Sequence, residues 1–400
     1  MRKKDQRHST DYLRVMIVGL AMVLAGCMGP PALHRAVLGY DAVTSELEQQ
    51  LLLLNIARKA TGRPVHFTVT SSIAATFDWT TTVGVGGQLE ESAGTNFFNF
   101  NLGASASENP TFSITPVSGQ DFTKNILTPF PDGVFEFSVI QYRKIGEMIR
   151  VMGERIRIQK LDGSFVRSIK NDPLYPKQYE EFRRIALHLE WLNGNQQLFI
   201  SSLVFVETLV ADFKGVPRAE DINDGFTMGL RWRQKPDGNY KLTRLSSGRV
   251  AVTNYDPKRL SDDERWALND KIKKNPAHFV YLDIRPGYPG GDFPIQGAIE
   301  LRSMISIIRF VADGIEQTRE FAVKKDPRTG PVEEGPAVTL QINVTDAKPT
   351  ADLPSVKYAG KYYSVADTPW DLSVFRSLNR LFQIAVGDVE DVGIPITIAK

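Results

Sequence analysis

The hydrophobic pattern between Val65 and Pro116 has a period of two residues. Apolar residues occupy nearly every odd position from Val65 to Val85, and the even positions between them are mostly Thr, Ser, His, Asp or Gly. After a turn-prone segment at 86–96, the alternation resumes on even positions. Alternation of this kind is typical of a β-strand with two unlike faces, and an ordinary strand has only about five or six residues. The pattern therefore predicts one unusually long β-hairpin.

The apolar positions of the two arms are expected to share one face of this hairpin. With a turn centred near 91–92, odd positions of the first arm lie opposite even positions of the second. Phe77 is then expected opposite Ala106, and Trp79 opposite Ala104. The predicted apolar face consists of Phe67, Val69, Ile73, Phe77, Trp79, Val83, Val85, Phe98, Phe100, Leu102, Phe112 and Ile114.

The hairpin also lacks basic residues, because no Lys or Arg occurs between Arg63 and Lys124. Three interpretations remain open. The apolar face could pack on helices at 45–60 and 118–156 as a soluble core layer. Several copies could instead each contribute a hairpin to an oligomeric pore or ring. Each arm is long enough for this, since a membrane crossing needs only about 9–11 residues per strand. The long edges could also pair in another kind of assembly.

The rest of the chain predicts an α+β protein: a helix, then the very long amphipathic hairpin, then a mixed α+β C-terminal domain. A capping box at Ser45–Glu48 predicts the start of the first helix. Helical spacing from about Gln141 to Ile156 predicts another helix, with a basic face that includes Arg150. This face is expected to be solvated, and the alternative is a contact with lipid headgroups or a partner. The predicted organisation is a signal peptide (1–26), a tether (27–40), the helix, hairpin and further helices (41–160), a linker (161–175) and the α+β domain (176–400).

The N-terminus has the plan of an export signal, with a charged start and an apolar run from Val15 to Ala25 that is short for a permanent membrane helix. Leu24, Ala25, Gly26 and Cys27 then resemble the lipobox of bacterial lipoproteins. That resemblance implies cleavage before Cys27 and acylation of its thiol. More than one acyl chain gives stable membrane attachment. Residue 28 is Met rather than Asp, so the resemblance favours the outer membrane.

Several short segments resemble a group of uncharacterised proteobacterial lipoproteins. They are Leu-Leu-Leu-Asn-Ile-Ala-Arg at 52–58, Glu108–Phe112 with Ser118 and Gly119, Leu127–Pro129, and Lys361-Tyr362-Tyr363. The likeness covers most of the chain after the signal peptide. It implies the same lipid-anchored address, and it adds no mechanism.

Composition and motifs give no support for catalysis. Without the predicted signal peptide the chain is nearly neutral, which removes the electrostatic argument for nucleic acid binding. With Cys27 acylated, no thiol is left for a disulfide, because the chain has one Cys. The histidines that follow the signal peptide are too scattered for a metal site, and His188 is expected on a helix surface. No cofactor and no metal site is predicted, and the chain is not predicted to be an enzyme.

The sequence predicts an outer-membrane-anchored lipoprotein, mainly facing the periplasm, with a non-enzymatic structural or assembly role. An oligomeric pore or ring that uses the 65–116 hairpin is one form of this role. The alternative is a monomeric binding or scaffold lipoprotein in which the hairpin is core, and the third candidate is an uncharacterised hydrolase assembled from distant residues. The predicted partners are the membrane, through the N-terminal lipid, and a second copy or another envelope protein.

Overall fold

A computed structural model of the chain describes residues 29–87, 98–116, 120–142, 144–160, 164–316, 319–387 and 396–398. The chain divides into two compact units. The first unit, here called the ribbon unit, contains residues 1–51, 66–118 and 390–400. The second, here called the body, contains residues 52–65 and 119–389.

The described residues form the following elements. The helices are α1 (Gly29–Ala60), α2 (Gln120–Leu127), α3 (Asp132–Tyr142), α4 (Ile145–Met152), α5 (Pro176–Gly194), α6 (Ala219–Thr227), α7 (Asp262–Lys273), α8 (Met304–Glu316) and α9 (Pro369–Gly387). The strands are β1 (Thr68–Gly87), β2 (Phe98–Pro116), β3 (Gly153–Gln159), β4 (Phe165–Lys170), β5 (Phe199–Phe213), β6 (Leu230–Gln234), β7 (Tyr240–Thr253), β8 (Phe279–Ile284), β9 (Ile295–Leu301), β10 (Ile342–Thr345), β11 (Ser355–Tyr358), β12 (Lys361–Val365) and β13 (Ile396–Ile398).

The ribbon unit is built on the long hairpin that the sequence predicts. Strands β1 and β2 contain 20 and 19 residues and pair antiparallel along their whole length. The short strand β13 adds to β2, so the described sheet has the order β1-β2-β13. The α+β class, with a helix, a very long hairpin and a mixed remainder, is therefore confirmed.

The body contains a seven-stranded sheet in the order β4-β3-β9-β8-β7-β5, with β6 also paired to β7. Only β7 and β8 are parallel, and α7 is the crossover between them. Every residue of β8 is buried, as expected for a central strand covered on both faces. Apolar side chains of α7 pack on the sheet through one core cluster: Leu203, Ala251, Leu268, Ile272, Phe279, Tyr281 and Ala298.

A second sheet of the body has the order β10-β12-β11. The sequence pattern predicts a single strand from Val356 to Val365, but the structure has two strands joined by a tight turn. Ala359 and Gly360 at this turn have φ angles of 49° and 84°. Two consecutive residues in the left-handed region are the signature of a type I′ hairpin turn.

Helix starts were predictable where a side chain caps the first turn. Ser261 accepts a hydrogen bond from the Glu264 N–H, and the Glu264 carboxylate accepts one from the Ser261 N–H. At α9, Thr368 accepts from the Asp371 N–H at 3.0 Å, and its hydroxyl donates to the Asp371 carboxylate at 2.6 Å. The Ser261 pair satisfies two backbone donors and the Thr368 pair one, at helix starts where the helix itself leaves such donors unpaired.

The predicted boundaries of the first half of the chain are wrong in three places. Residues from Gly29 onward are helical, so the described part of the 27–40 tether belongs to α1, and the Ser45 capping box lies inside that helix. The 161–175 linker contains β4, an edge strand paired with β3. The division near residue 160 also fails, because β3 pairs with β9 and α4 packs on α5 within the body.

Two further predictions differ in element type. The predicted helix from Gln141 to Ile156 ends at Met152, where the chain continues directly as β3. Gly153 makes this abrupt change possible, because a Cβ there would lie 2.5 Å from the Ile149 carbonyl oxygen. The alternation of Phe226, Met228, Leu230 and Trp232 predicts a strand, but Phe226 and Met228 lie exposed at the end of α6.

Candidate functional site

The paired arms of the hairpin, here called the ribbon, contain the two longest strands that the structure describes. The pairing runs from Gly87 opposite Phe98 to Thr68 opposite Pro116. At about 3.3 Å per residue, an arm of this length extends roughly 65 Å. Backbone hydrogen bonds between the arms stabilise this extended hairpin along its whole length, because each residue of an antiparallel pair has a partner on the opposite strand.

The register confirms that odd positions of β1 oppose even positions of β2 for most of the ribbon, but the predicted pairs are wrong. Phe77 lies opposite Glu108 rather than Ala106, and Trp79 lies opposite Ala106. The observed register is therefore shifted by two residues from the predicted one. A shift by an even number preserves the faces, because side chains alternate with period two. The stripes from Ile73 to Val85 and from Phe98 to Phe112 thus share a face.

A bulge changes this arrangement near the base of the ribbon. The register shifts between Thr70 and Ser72, so that one extra residue is inserted in β1. Below the bulge, Val69 lies opposite Thr115, on the face away from Ile114. The prediction that Val69 shares the apolar face is therefore wrong. Phe67 precedes β1 and is buried.

The third strand covers only a small part of one edge. Ile396 lies opposite Ile114, and Ile398 lies opposite Phe112. Directly opposed residues share a face of a sheet, so this register places the four apolar residues on one face. Within the described chain, no other strand pairs with the outer edge of β2 or with the outer edge of β1.

The residues of the predicted lipid attachment site, Leu24, Ala25, Gly26 and Cys27, lie outside the described residues. None of the helices that the structure describes is both long enough and apolar enough to cross a membrane.

The body contains a buried polar cluster that the sequence did not reveal. Its centre is Glu320, whose side chain is 6% exposed. One carboxylate oxygen accepts hydrogen bonds from the hydroxyls of Tyr179 (2.8 Å) and Thr339 (2.7 Å), and Arg183 lies 3.3 Å from the same oxygen. The other oxygen accepts from the Thr339 N–H at 2.5 Å. Helix α5 is thereby joined to the segment that precedes β10.

Two further arginines make this part of the body rich in buried positive charge. Arg150 donates to the Thr339 hydroxyl at 3.2 Å and lies over the Trp370 ring, while its Nη2 atom has no hydrogen-bond partner. Burial and the nearby Arg183 lower the pKa of Arg150 to about 9. Arg302 donates to the backbone carbonyls of Arg150, Val151 and Asn171, and burial lowers its pKa to about 10.

This burial corrects the prediction of a solvated basic helix face. Arg150 is 3% exposed, and every residue of α4 is buried. A basic face that binds lipid headgroups would have to reach solvent, so Arg150 does not serve that purpose. The only sequence signal was an arginine placed among the apolar residues of a short helix.

A second buried cluster joins α4 to α9. Glu147 is fully buried and accepts hydrogen bonds from the hydroxyls of Ser373 (2.9 Å) and Ser377 (2.7 Å). Nearby, the Glu190 carboxylate accepts from the Gly146 N–H at 2.6 Å. Burial raises the pKa of both carboxyl groups, and repulsion from Glu147 adds to the effect on Glu190. Glu147 has a hydroxyl donor on each carboxylate oxygen and Glu190 has one backbone donor, so both carboxylates join neighbouring elements of the body.

His188 is buried rather than on a helix surface, so that prediction is wrong. Its two ring nitrogens lie 3.0 Å from the Thr329 hydroxyl and 3.0 Å from the Gly290 carbonyl oxygen. The ring also packs against Trp191 and Phe293. Burial lowers the pKa of His188, so the neutral form is favoured. His188 therefore connects α5 to the two loops that contain Thr329 and Gly290.

In the part of the chain that the structure describes, no group of three or more His, Cys, Asp or Glu side chains could hold a metal ion. Comparisons with family models, curated proteins and solved structures found no match to this chain. The ribbon is accordingly the candidate functional element, because its strands of 20 and 19 residues have the longest described backbone edges without a partner strand.

Proposed function

We propose that this protein is an outer-membrane lipoprotein, anchored through Cys27 and facing mainly the periplasm, that acts as a non-enzymatic assembly component. The ribbon is the assembly element. The partner is a second copy of the chain, and a ring or an oligomeric pore is the form that such pairing produces when it closes on itself.

The observation that carries this proposal is the pair of long unpartnered edges. Proteins normally shorten, charge, bulge or cover an edge strand, because exposed N–H and C=O groups pair readily with another strand. The outer edges of β1 and β2 are each about 20 residues long. Among the described strands, only the three-residue strand β13 pairs with one of these edges, that of β2. One edge of each copy can pair with the other edge of the next copy. Such head-to-tail contacts generate rings when the rotation closes.

The composition of the ribbon supports pairing with a neighbour over exposure to water. Edge strands are usually protected from pairing by Lys side chains. The region between Arg63 and Lys124 has no Lys or Arg at all.

The lipid anchor supports the same function. A ring or pore at a membrane requires all copies to be held at one surface, and acylation of Cys27 would achieve this. Confinement raises the effective concentration of copies, which favours weak edge contacts that would not form in dilute solution.

The test is a size measurement of the mature protein in mild detergent, compared with a variant that lacks Thr80–Leu102. This deletion joins Trp79 to Gly103. Residues 103–105 then form the turn of a shortened hairpin, in which Trp79 and Ala106 are the last retained pair. A matched control lacks residues 89–96 and keeps every observed pair of the ribbon.

We expect a defined oligomer for the intact protein and for the control, and a folded monomer for the Thr80–Leu102 deletion. A monomeric intact protein whose deletion variant unfolds would instead establish the ribbon as core and overturn the proposal. Lipidation is checked separately, because a Cys27→Ala variant is expected to lose membrane attachment.

A further inference from the structure

A cavity of about 430 Å³ lies beside β5 in the body, and it is here called the β5 cavity. This volume falls within the range of small-molecule sites, about 300–1,000 Å³. Its lining comes from β5, β6, β7, a 3₁₀ turn at Pro257–Arg259 and the start of α7. The lining residues are Ser201, Ser202, Leu203, Val204, Phe205, Val206, Arg233, Leu245, Pro257, Lys258, Asp262 and Arg265.

The cavity has an apolar wall. Val206 lies opposite Leu245 in the sheet, and Val204 is on the same face two residues away. Val204 and Leu245 are 47% and 37% exposed, which is unusual for aliphatic side chains that lie side by side. Adjacent exposed aliphatic residues mark a surface that gains by burying an apolar ligand.

The polar lining carries an excess of positive charge. Arg233, Lys258 and Arg265 line the cavity with a single acidic residue, Asp262. Asp262 lies 3.2 Å from Arg265 and also accepts the Val206 N–H at 2.9 Å. Among the described residues, no carboxylate lies within ion-pair distance of Arg233 or Lys258. The Nε atom of Arg265 is buried and has no hydrogen-bond partner.

A peptide strand is a poor occupant, although β5 lies at the end of the sheet. Strand addition requires free backbone donors along the edge. The Ser202 N–H donates to Glu136 at 2.7 Å, and the Val206 N–H donates to Asp262. These two carboxylates take the place of a neighbouring strand.

We infer that the β5 cavity binds the acyl chain of a fatty acid, with the carboxylate head held by Arg233 and Lys258. An apolar wall beside two cations without ion-pair partners complements a ligand that has a hydrocarbon tail and one negative end. The inference does not depend on the ribbon, because every lining residue belongs to the body.

The experiment is photo-crosslinking of the full-length protein in lipid nanodiscs with a palmitate that carries a diazirine, followed by mapping of the labelled peptides. We expect labelling concentrated within residues 201–206 and competed by oleate but not by oleyl alcohol. The double variant Arg233→Glu/Lys258→Glu is expected to lose at least tenfold in labelling.

The control is Arg231→Glu/Arg259→Glu, which makes the same charge change on the same two elements at residues that do not line the cavity. It is expected to label like the wild type. All four replaced residues are exposed, and equal thermal unfolding midpoints would exclude misfolding. Labelling spread without enrichment at 201–206, equal losses in both double variants, or competition by oleyl alcohol as strong as that by oleate would overturn the inference.

Discussion

The ribbon and the body differ in how their polar groups find hydrogen-bond partners. The body encloses charged side chains and satisfies most of them internally, as Glu320 shows with its four donors. The ribbon has almost no charge and leaves its polar backbone groups along open edges. An internally satisfied unit is complete as a single copy, whereas an open edge is completed by a partner. Substitutions in the body should therefore change folding, and substitutions in the ribbon should change assembly.

The largest effect is expected from Glu320→Gln. This substitution leaves Arg183 and Arg150 as buried charges without a compensating anion, and breaking a buried ion pair typically costs about 3–5 kcal/mol. The measurement is the free energy of unfolding from urea denaturation. The control is Glu334→Gln, which breaks the exposed pair with Lys144 and should cost about 1 kcal/mol or less. Similar losses in the two variants would contradict a special role for the buried cluster.

An intermediate effect is expected from His188→Ala. Loss of the contacts to Thr329 and Gly290 leaves buried polar groups unpaired, which costs about 1–3 kcal/mol. Because the folded-state pKa lies below the ordinary value of about 6.5, the unfolded chain binds the proton more tightly. Wild-type stability therefore falls as the pH decreases through this window.

The pH dependence separates His188 from other titrating groups. The variant lacks the histidine contribution, so the gap in free energy of unfolding between wild type and His188→Ala should narrow from pH 7 to pH 5. Urea denaturation at several pH values measures this gap. A gap that widens at low pH would show that His188 is charged in the folded state.

The smallest effect on folding is expected from Val83→Asp in a Trp79→Phe background. In this background the four remaining tryptophans all belong to the body, so fluorescence reports on the body alone. A ribbon substitution should change the free energy of unfolding of the body by less than about 0.5 kcal/mol. The same variant should reduce the fraction of oligomer in mild detergent. A large loss of body stability would mean that the two regions fold as one.

The ribbon was predictable because a period of two residues, repeated over both arms, has no helical counterpart. Its register was missed by two residues, since the glycine-rich segment at 86–96 allows several turn positions that keep the same faces. The bulge near Ser71 has no clear sequence signature, and it moved Val69 to the other face.

The polar clusters of the body could not be predicted for a different reason. Arg150, Arg183 and Glu320 are far apart in the sequence, and a charged residue on a predicted helix is normally assigned to solvent. Their burial depends on how α4, α5 and the segment before β10 meet, which no local pattern encodes. The tether prediction failed because the prolines that follow Gly29 sit in the first turn of α1, where proline is tolerated.

The most direct test of edge pairing is residue-resolved amide hydrogen exchange of β1 in the detergent-extracted protein. In an antiparallel strand, alternate amides point toward the partner and the others point to the open edge. If copies pair through the ribbon, the outward amides of Thr68–Gly87 should be protected about as well as the inward ones, and the protection should disappear on dilution to monomer. Outward amides that exchange freely in a sample of confirmed oligomers would contradict assembly through the ribbon.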